Sequence, residues 1–266
     1  MPDIYSYWWK PFPNSTGWLI PGDYNLYVDY KTIHSGDNKK IFVQVEPPEI
    51  GNCREWVVSN QGKFNLIIGW DDWLRQRIPQ MKLLPMGVEG WLYEDQYLNS
   101  YEKRFEVSFL LAEKRDTFGH ELKHQLWRRL SEIINIPVKS YIDTRDEDGN
   151  LNRPMRFERL YKHCQFSIWF ENSRHNNFFT ERIVDSFLSK TIPIYWGCLN
   201  LGEYYDMNGV YTVNNPDDVV RVCNSLTPDT YNEKLEYVNR NYEIAKEFQE
   251  GHVWFTKLNN YIGEIL

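Results

Sequence analysis

The sequence predicts an α/β protein built from two domains. Its 266 residues exceed the usual length of a single domain. Short apolar strands alternate with turn signals in the first hundred residues, and the order strand, polar loop, helix, strand recurs further along the chain. Two compact α/β domains, or one large α/β unit, account for both patterns, and two domains would provide a cleft.

Three strands are predicted in the first hundred residues. They cover residues 24–28, residues 41–45 before Pro47 and Pro48, and residues 65–68 before Gly69. The turn at Pro47 places Glu46 at the carboxyl end of a buried strand. Open α/β sheets carry ligand-binding groups at that edge.

The second half of the chain predicts a further α/β pattern. A strand over 105–111 precedes a helix in which five apolar residues recur at helical spacing: Leu122, Leu126, Leu130, Ile133 and Ile134. Strand 165–170, a polar loop, helix 180–188 and strand 192–196 then form a βαβ unit. Two or three helices are expected after Pro216, one of them over 228–248. The loop and helix start of the βαβ unit should therefore lie at the carboxyl edge of a parallel sheet.

Composition argues against several classes of function. The net charge is -7 and there is no basic block, so a nucleic-acid partner is not expected. The four cysteines and six histidines show no metal-ligand or disulfide spacing. No signal peptide or transmembrane segment is recognisable, which predicts a soluble protein in the cytoplasm of a bacterium or a virus-infected host. Some of the 11 Trp and 18 Tyr rings are expected to face a ligand.

The start of the helix at 180–188 is a candidate phosphate site. Unpaired N–H groups and the helix dipole favour an anion there, and Arg182 adds a guanidinium suited to a diphosphate. Glu181 would repel phosphate but could accept hydrogen bonds from ribose hydroxyls. An ordinary helix start, in which Thr180 caps and Glu181 complements the dipole, explains the same residues.

The surrounding sequence resembles a known signature. It reads YKHCQFSIWFENS at 161–173, continues with FTERI at 179–183 and ends with TIPIYWG at 191–197. This order is similar to the donor-site pattern of family 10 glycosyltransferases, the α-1,3/4-fucosyltransferases: FENS, a short loop, YVTEKI, then IPIYWG. The resemblance implies a GT-B fold, in which two Rossmann-like domains face each other across a cleft, and a GDP-fucose donor.

Carried over by position, the resemblance assigns roles around the donor. Glu181 would contact the ribose and Arg182 the phosphates, with Asn172 and Ser173 shaping the loop. Thr180 is counted with this donor-binding set. Phe178 stands where the family has Tyr, and Arg182 where it has Lys. Lys123 falls where the family usually has a phosphate-binding Arg, although a solvated lysine is an equal alternative.

Glu46 is the candidate catalytic base. The segment VEPP at 45–48 resembles the family's short acidic motif, and an inverting transfer needs a carboxylate to take the acceptor proton. A glutamate that caps the turn before Pro47 is the simpler alternative. Asp71 and Asp72, after the strand at 65–68, are reserve candidates.

With these residues, the resemblance implies an inverting transferase that moves L-fucose from GDP-fucose to a glycan hydroxyl. The resemblance also implies that no metal and no cofactor beyond the nucleotide-sugar donor are needed. Residues 1–100 would form the acceptor-side domain and residues 101–266 the donor-binding domain, with the last helix a candidate to return to the first. Another UDP- or GDP-linked sugar, or a non-catalytic carbohydrate-binding protein, are the competing predictions. The sequence carries no signal for an oligomeric state.

Overall fold

A computed structural model of the protein describes residues 4–6, 23–85, 101–143, 153–247 and 252–264. The chain divides into two compact units. Unit 1 comprises Met1–Met86, His175–Phe178 and His252–Leu266, and unit 2 comprises Gly87–Arg174 and Phe179–Gly251. The domain boundary expected at residue 100 lies outside the described residues.

Unit 1 contains a five-stranded parallel sheet whose strands follow their order in the chain. The strands are β1 (Ile4–Ser6), β2 (Tyr24–Val28), β3 (Lys39–Val43), β4 (Leu66–Gly69) and β5 (Lys82–Leu83). The helices of this unit are α1 (Pro48–Gly51), α2 (Arg54–Asn60), α3 (Asp72–Arg77) and, near the end of the chain, α10 (His252–Gly263).

The central strands of unit 1 are buried on both faces. All five residues of β2 and all four of β4 are buried, as expected when helices and loops cover both sides of a parallel sheet. The register pairs Val28 with Val43 and Val43 with Ile68, so the carboxyl ends of β2, β3 and β4 lie at one edge. Residues that follow these strands are thereby brought together.

Unit 2 contains a second five-stranded parallel sheet, in the order β10-β9-β8-β6-β7. Its strands are β6 (Arg104–Leu111), β7 (Val138–Ile142), β8 (Cys164–Phe170), β9 (Ile192–Trp196) and β10 (Tyr211–Thr212). Its helices are α4 (Phe118–Trp127), α5 (Arg153–Arg156, continued by a π-helical turn at Phe157–Tyr161), α6 (Glu181–Leu188), α7 (Pro216–Ser225), α8 (Thr230–Glu233) and α9 (Leu235–Glu247). In the described part of the chain, no helix has the length and apolar character needed to cross a membrane.

The core of unit 2 forms around β8. All seven residues of this strand are buried, which explains why its sequence is a continuous apolar run rather than an alternating one. Helix α6 buries Ile183, Val184, Phe187 and Leu188, which recur on one side of the helix. A polar loop and a polar helix start are therefore fixed to a rigid strand.

Two predicted helices differ from the observed ones. The helix expected to reach Ile134 ends at Trp127, and Ile134 is 79% exposed. The N–H groups of Ile134 and Asn135 donate to Asn224 Oδ1, so this side chain takes the donors that a longer helix would use. The helix expected over 228–248 is interrupted at Lys234, which separates α8 from α9.

Candidate active site

The strand order of unit 2 reverses between β6 and β8. The chain runs from β6 outward to β7, returns to β8 on the opposite side of β6, and continues to β9 and β10. Side chains that follow β6 and β8 therefore meet at the carboxyl edge where the order changes, which is the usual ligand site of an open α/β sheet. Helix α4 follows β6, and the loop that leads to α6 follows β8.

Glu171 organises this edge. It directly follows β8, is fully buried, and accepts four hydrogen bonds. The Thr180 N–H donates to Oε1 at 3.0 Å and the Thr180 hydroxyl to Oε2 at 2.8 Å. The Tyr195 hydroxyl donates to Oε1 at 3.1 Å, and Arg182 Nη1 donates to Oε2 at 2.9 Å. Glu171 thus fixes the start of α6 and the Arg182 side chain together.

Two glycines allow the chain to pack closely on Glu171. A Cβ atom at Gly119, in the first turn of α4, would overlap the Glu171 carbonyl oxygen. A Cβ at Gly197, directly after β9, would overlap the Tyr195 hydroxyl and lie 2.5 Å from Glu171 Cγ. A larger residue at Gly119 would displace the Glu171 backbone, and one at Gly197 would displace the Tyr195 ring or the Glu171 side chain.

Arg182 is held by acidic and hydroxyl groups at the start of α6. Its Nη1 donates to Thr180 Oγ1 at 2.8 Å as well as to Glu171, and lies 3.8 Å from Glu181 Oε1. Burial opposes its charge, but Glu181 and Glu171 hold the pKa of Arg182 above its usual value. The guanidinium is therefore a permanent positive charge at the sheet edge.

Lys123 and His120 lie one turn apart on α4 and are both buried. Among the described residues, no hydrogen bond or ion pair holds the Lys123 ammonium. Burial and the nearby Arg182 charge lower the pKa of Lys123 to about 7. Burial, Lys123 and Arg182 lower the pKa of His120 to about 4, and its Nδ1 is buried without a described hydrogen-bond partner. In the part of the chain that the structure describes, the Lys123 ammonium and the His120 Nδ1 atom lack hydrogen-bond partners close to a positive charge, so an anion would fit at this place.

The remaining residues of the predicted donor set lie in or beside the loop after β8. Asn172 has a buried Oδ1 atom with no partner among the described residues, and Ser173 is 4% exposed. Phe178 is 1% exposed and belongs to unit 1, where its ring centroid lies 4.8 Å from that of Trp70. Phe178 thus anchors the loop through packing.

The candidate base lies in unit 1. Glu46 is half-buried, three residues beyond the end of β3. Its N–H donates to Asp29 Oδ2 at 2.7 Å, and the Val45 N–H donates to both oxygens of Asp29 at 3.1 and 3.2 Å. The backbone that carries Glu46 is therefore fixed by a buried carboxylate.

Asp71 and Asp72 are engaged in structural contacts. Asp71 is 2% exposed, caps α3 through the Trp73 N–H, and pairs with Arg54 at 2.6 and 3.0 Å. Asp72 accepts from Arg75 at 3.1 Å and from Asn176 at 2.9 Å. Both carboxylates therefore have structural partners within unit 1.

Three residues of this edge were not among the sequence-based candidates: Glu171, Gly119 and His120. Glu171 lies inside the FENS motif, which was an available signal. His120 is three residues before Lys123, a spacing that places both on one helix face. Among the described residues, no group of three or more His, Cys, Asp or Glu side chains is arranged to hold a metal ion.

Sequence comparison gives a family and a relative. A family model described as "Glycosyltransferase family 10 (fucosyltransferase) C-term" matches residues 104–259. The chain is also similar to "Alpha-(1,3)-fucosyltransferase FucT" of Helicobacter pylori, with 28% identity over 109 residues. That match covers 40% of this chain and 21% of the relative, so the chain matches about a fifth of the relative's length.

Structure comparison shows the fold. A crystal structure of TarM is similar with a TM-score of 0.57 and 12% identity, over 90% of this chain and 54% of TarM. A crystal structure of α1,3-fucosyltransferase with GDP is similar with a TM-score of 0.50 and 16% identity, over 99% of this chain and 90% of the other. The expected GT-B type of α/β fold is thereby confirmed. With the family match over residues 104–259, the chain belongs to glycosyltransferase family 10.

Proposed function

We propose that this protein is a glycosyltransferase that moves L-fucose from GDP-fucose to a hydroxyl group of a glycan acceptor, with inversion at the sugar carbon and without a metal ion. Unit 2 binds the nucleotide sugar and unit 1 supplies the base. Membership in a fucosyltransferase family and the similarity to an α1,3-fucosyltransferase with GDP support this donor.

The observation that carries the proposal is the unpaired charge of Lys123 beside Arg182. Two cationic side chains in a buried site repel each other, and here burial with this repulsion lowers the pKa of Lys123. A diphosphate would relieve the repulsion and supply the hydrogen-bond acceptors that the ammonium lacks. The same two side chains would stabilise the negative charge that develops on the leaving GDP.

The other residues of the loop and of α6 complete the donor site. Glu181, half-buried at the first position of α6, accepts hydrogen bonds from the ribose hydroxyls. Asn172 and Ser173 shape the loop around the sugar, and Thr180 and Phe178 hold this loop through the Glu171 and Trp70 contacts. Lys123 and Arg182 bind the phosphates.

In the chemical step, the acceptor oxygen attacks the anomeric carbon as the bond to the GDP oxygen breaks. Glu46 takes the acceptor proton, so one C–O bond forms, one C–O bond breaks, and GDP leaves with the electron pair of the broken bond. Attack opposite the leaving group inverts the configuration. The negative charge of Glu46 also favours the oxocarbenium-like transition state.

Two measurements test the donor and the base. Calorimetric titration should show tighter binding of GDP than of UDP, whereas a preference for UDP would replace the fucose donor with another nucleotide sugar. Glu46→Gln should reduce transfer by about 10²–10⁴-fold while GDP binding is retained. Asp72→Asn is the matched control, and it should keep most of the activity. Near-normal turnover of the Glu46 variant with loss in the Asp72 variant would move the base to Asp72.

A further inference from the structure

Asp29 is a buried carboxylate with an unusual backbone conformation. It directly follows β2, is 4% exposed, and has a φ of 50°, a left-handed conformation that residues other than glycine rarely adopt. In the described part of the chain, no lysine or arginine forms an ion pair with it. Burying a carboxylate without a cation costs free energy, and residues kept at such a cost cluster at functional sites.

The contacts of Asp29 converge on the segment that carries Glu46. Its two oxygens accept the N–H groups of Val45 and Glu46, both beyond the end of β3. The Val45 carbonyl accepts from Trp70 Nε1 at 2.9 Å. Gly51 packs against Glu46, since a Cβ at Gly51 would lie 3.3 Å from Glu46 Cβ. The turn is thus fixed by side chains rather than by sheet pairing.

We propose that Asp29 is a positioning residue for the transfer reaction: its carboxylate fixes the backbone of Val45 and Glu46 and so sets the direction of the Glu46 carboxylate. This inference rests on the proposed role of Glu46 as the base. A general base must lie within hydrogen-bond reach of its proton, so an error of about 1 Å in its position can cost about 100-fold in rate.

The charges around Asp29 make this contact sensitive to pH. Burial raises the pKa of Asp29 to about 7, and the Glu46 carboxylate adds to the rise. Opposing this are the two N–H donors and the charge of Lys31, whose ammonium lies 3.5 Å from the Asn52 carbonyl. The buried Cys53 thiol lies 4.0 Å from Asp29 Oδ1. The negative charge of Asp71, which is paired with Arg54, also acts on this thiol. Ionised Asp29 accepts both N–H groups fully, whereas protonation weakens one acceptor.

A double-mutant cycle with Glu46 tests the proposal. Turnover and GDP affinity are measured for Asp29→Asn, Glu46→Gln and the double variant, with Asp29→Ala as a more severe change. We expect Asp29→Asn to lower kcat by about 10-fold and Asp29→Ala by about 100-fold, with GDP affinity unchanged. In the Glu46→Gln background, either change should have less than about a 2-fold effect, because the residue that it positions is already disabled.

The outcomes separate the two proposals. Equal losses from Asp29→Asn in both backgrounds would overturn the positioning role and leave Glu46 as base. Near-normal turnover of Glu46→Gln would instead remove the base assignment. Asp206→Ala is the matched control: Asp206 accepts the Asn208 N–H at 3.0 Å, and its loss should lower the melting temperature without changing kcat.

The pH profile gives a readout that a purely structural role would not move. If ionised Asp29 is needed to hold the Val45 and Glu46 N–H groups, kcat should rise as the pH increases through about 7. Asp29→Asn should shift this acidic limb to lower pH. A limb that stays at the wild-type position in the variant would contradict the proposal.

Discussion

Two buried carboxylates occupy equivalent places in the two sheets and are used differently. Asp29 directly follows β2 in unit 1, and Glu171 directly follows β8 in unit 2. Glu171 accepts from two hydroxyls, one backbone N–H and the cationic Arg182. Asp29 accepts from two backbone N–H groups and lacks an ion pair among the described residues. The position in the fold is shared, but only one charge is compensated.

This difference matches the groups that each carboxylate holds. Glu171 holds a cation, and this charge-assisted hydrogen bond fixes the guanidinium of Arg182 at the start of α6. Asp29 holds the backbone of Glu46, and no cation among the described residues forms an ion pair with it. A carboxylate at the carboxyl end of a parallel strand is thus held rigidly in both units. Whether a cation is paired with it determines what the carboxylate can do.

Removing the compensated carboxylate should have the largest effect on stability. Glu171→Gln would leave the half-buried Arg182 with only the longer ion-pair contact to Glu181, and breaking a buried ion pair costs about 3–5 kcal/mol. Denaturant unfolding would measure this loss. Glu158→Gln is the control, because Glu158 forms an exposed pair with Lys162 that should contribute less than about 1 kcal/mol. Similar losses in both variants would show that Glu171 is not the organiser of the site.

The uncompensated carboxylate should instead make stability fall as pH rises. Folding raises the pKa of Asp29 from 3.8 to about 7, so between these values the folded state binds more protons than the unfolded state. This group should therefore lower the free energy of unfolding by about 2–4 kcal/mol between pH 4 and pH 8. The difference between wild type and Asp29→Asn across this range measures it.

A control of opposite sign is available for that measurement. The Asn208 N–H lowers the pKa of Asp206, so this group contributes stability that is lost as the pH falls. Asp206→Asn should change the pH dependence in the direction opposite to Asp29→Asn. The same direction in both variants would contradict the assignment of Asp29.

The lowered pKa of Lys123, beside the Arg182 that Glu171 holds, predicts proton uptake on nucleotide binding. Lys123 is largely neutral at pH 8, and a bound diphosphate favours its charged form. Titration of GDP at pH 8 in buffers of different ionisation enthalpy should therefore show uptake of protons. Lys123→Met should abolish the uptake and weaken GDP binding by about 10–100-fold. Lys123→Arg should keep affinity but show no uptake, and uptake in that variant would point to another group.

The smallest expected effect concerns the link between Glu171 and α6. Thr180 caps α6 through the Arg182 N–H and also donates to Glu171. Thr180→Ala should lower the free energy of unfolding by about 1–2 kcal/mol, and Thr180→Ser should restore most of it. If the serine variant were as unstable as the alanine variant, the threonine methyl group rather than its hydroxyl would be responsible.

Elements with a simple pattern could be predicted from the sequence. The strands Tyr24–Val28 and Ile192–Trp196 have the expected bounds, because buried parallel strands are continuous apolar runs that end at turn signals. The start of α6 was predicted from Thr180, which is its N-cap. In contrast, β7 was not predicted, because VKSYI contains only partly buried and exposed residues.

The support of the site could not be predicted in the same way. The hydrogen-bond donors to Glu171 lie 9 to 24 positions further along the chain. The donors to Asp29 lie 16 and 17 positions further along. From the sequence alone, an aspartate after a strand is an ordinary turn residue. Only the pairing of β2 with β3 brings Val45 and Glu46 to it.

The path of the chain has a practical consequence for dividing the protein into fragments. The chain passes from one unit to the other four times, because His175–Phe178 belong to unit 1 although they lie between β8 and α6. A fragment of residues 87–251 would carry Phe178 without Trp70 and expose an aromatic ring that is 1% exposed in the whole chain. Such a fragment should therefore aggregate, and unit 2 cannot be isolated by trimming the ends of the chain.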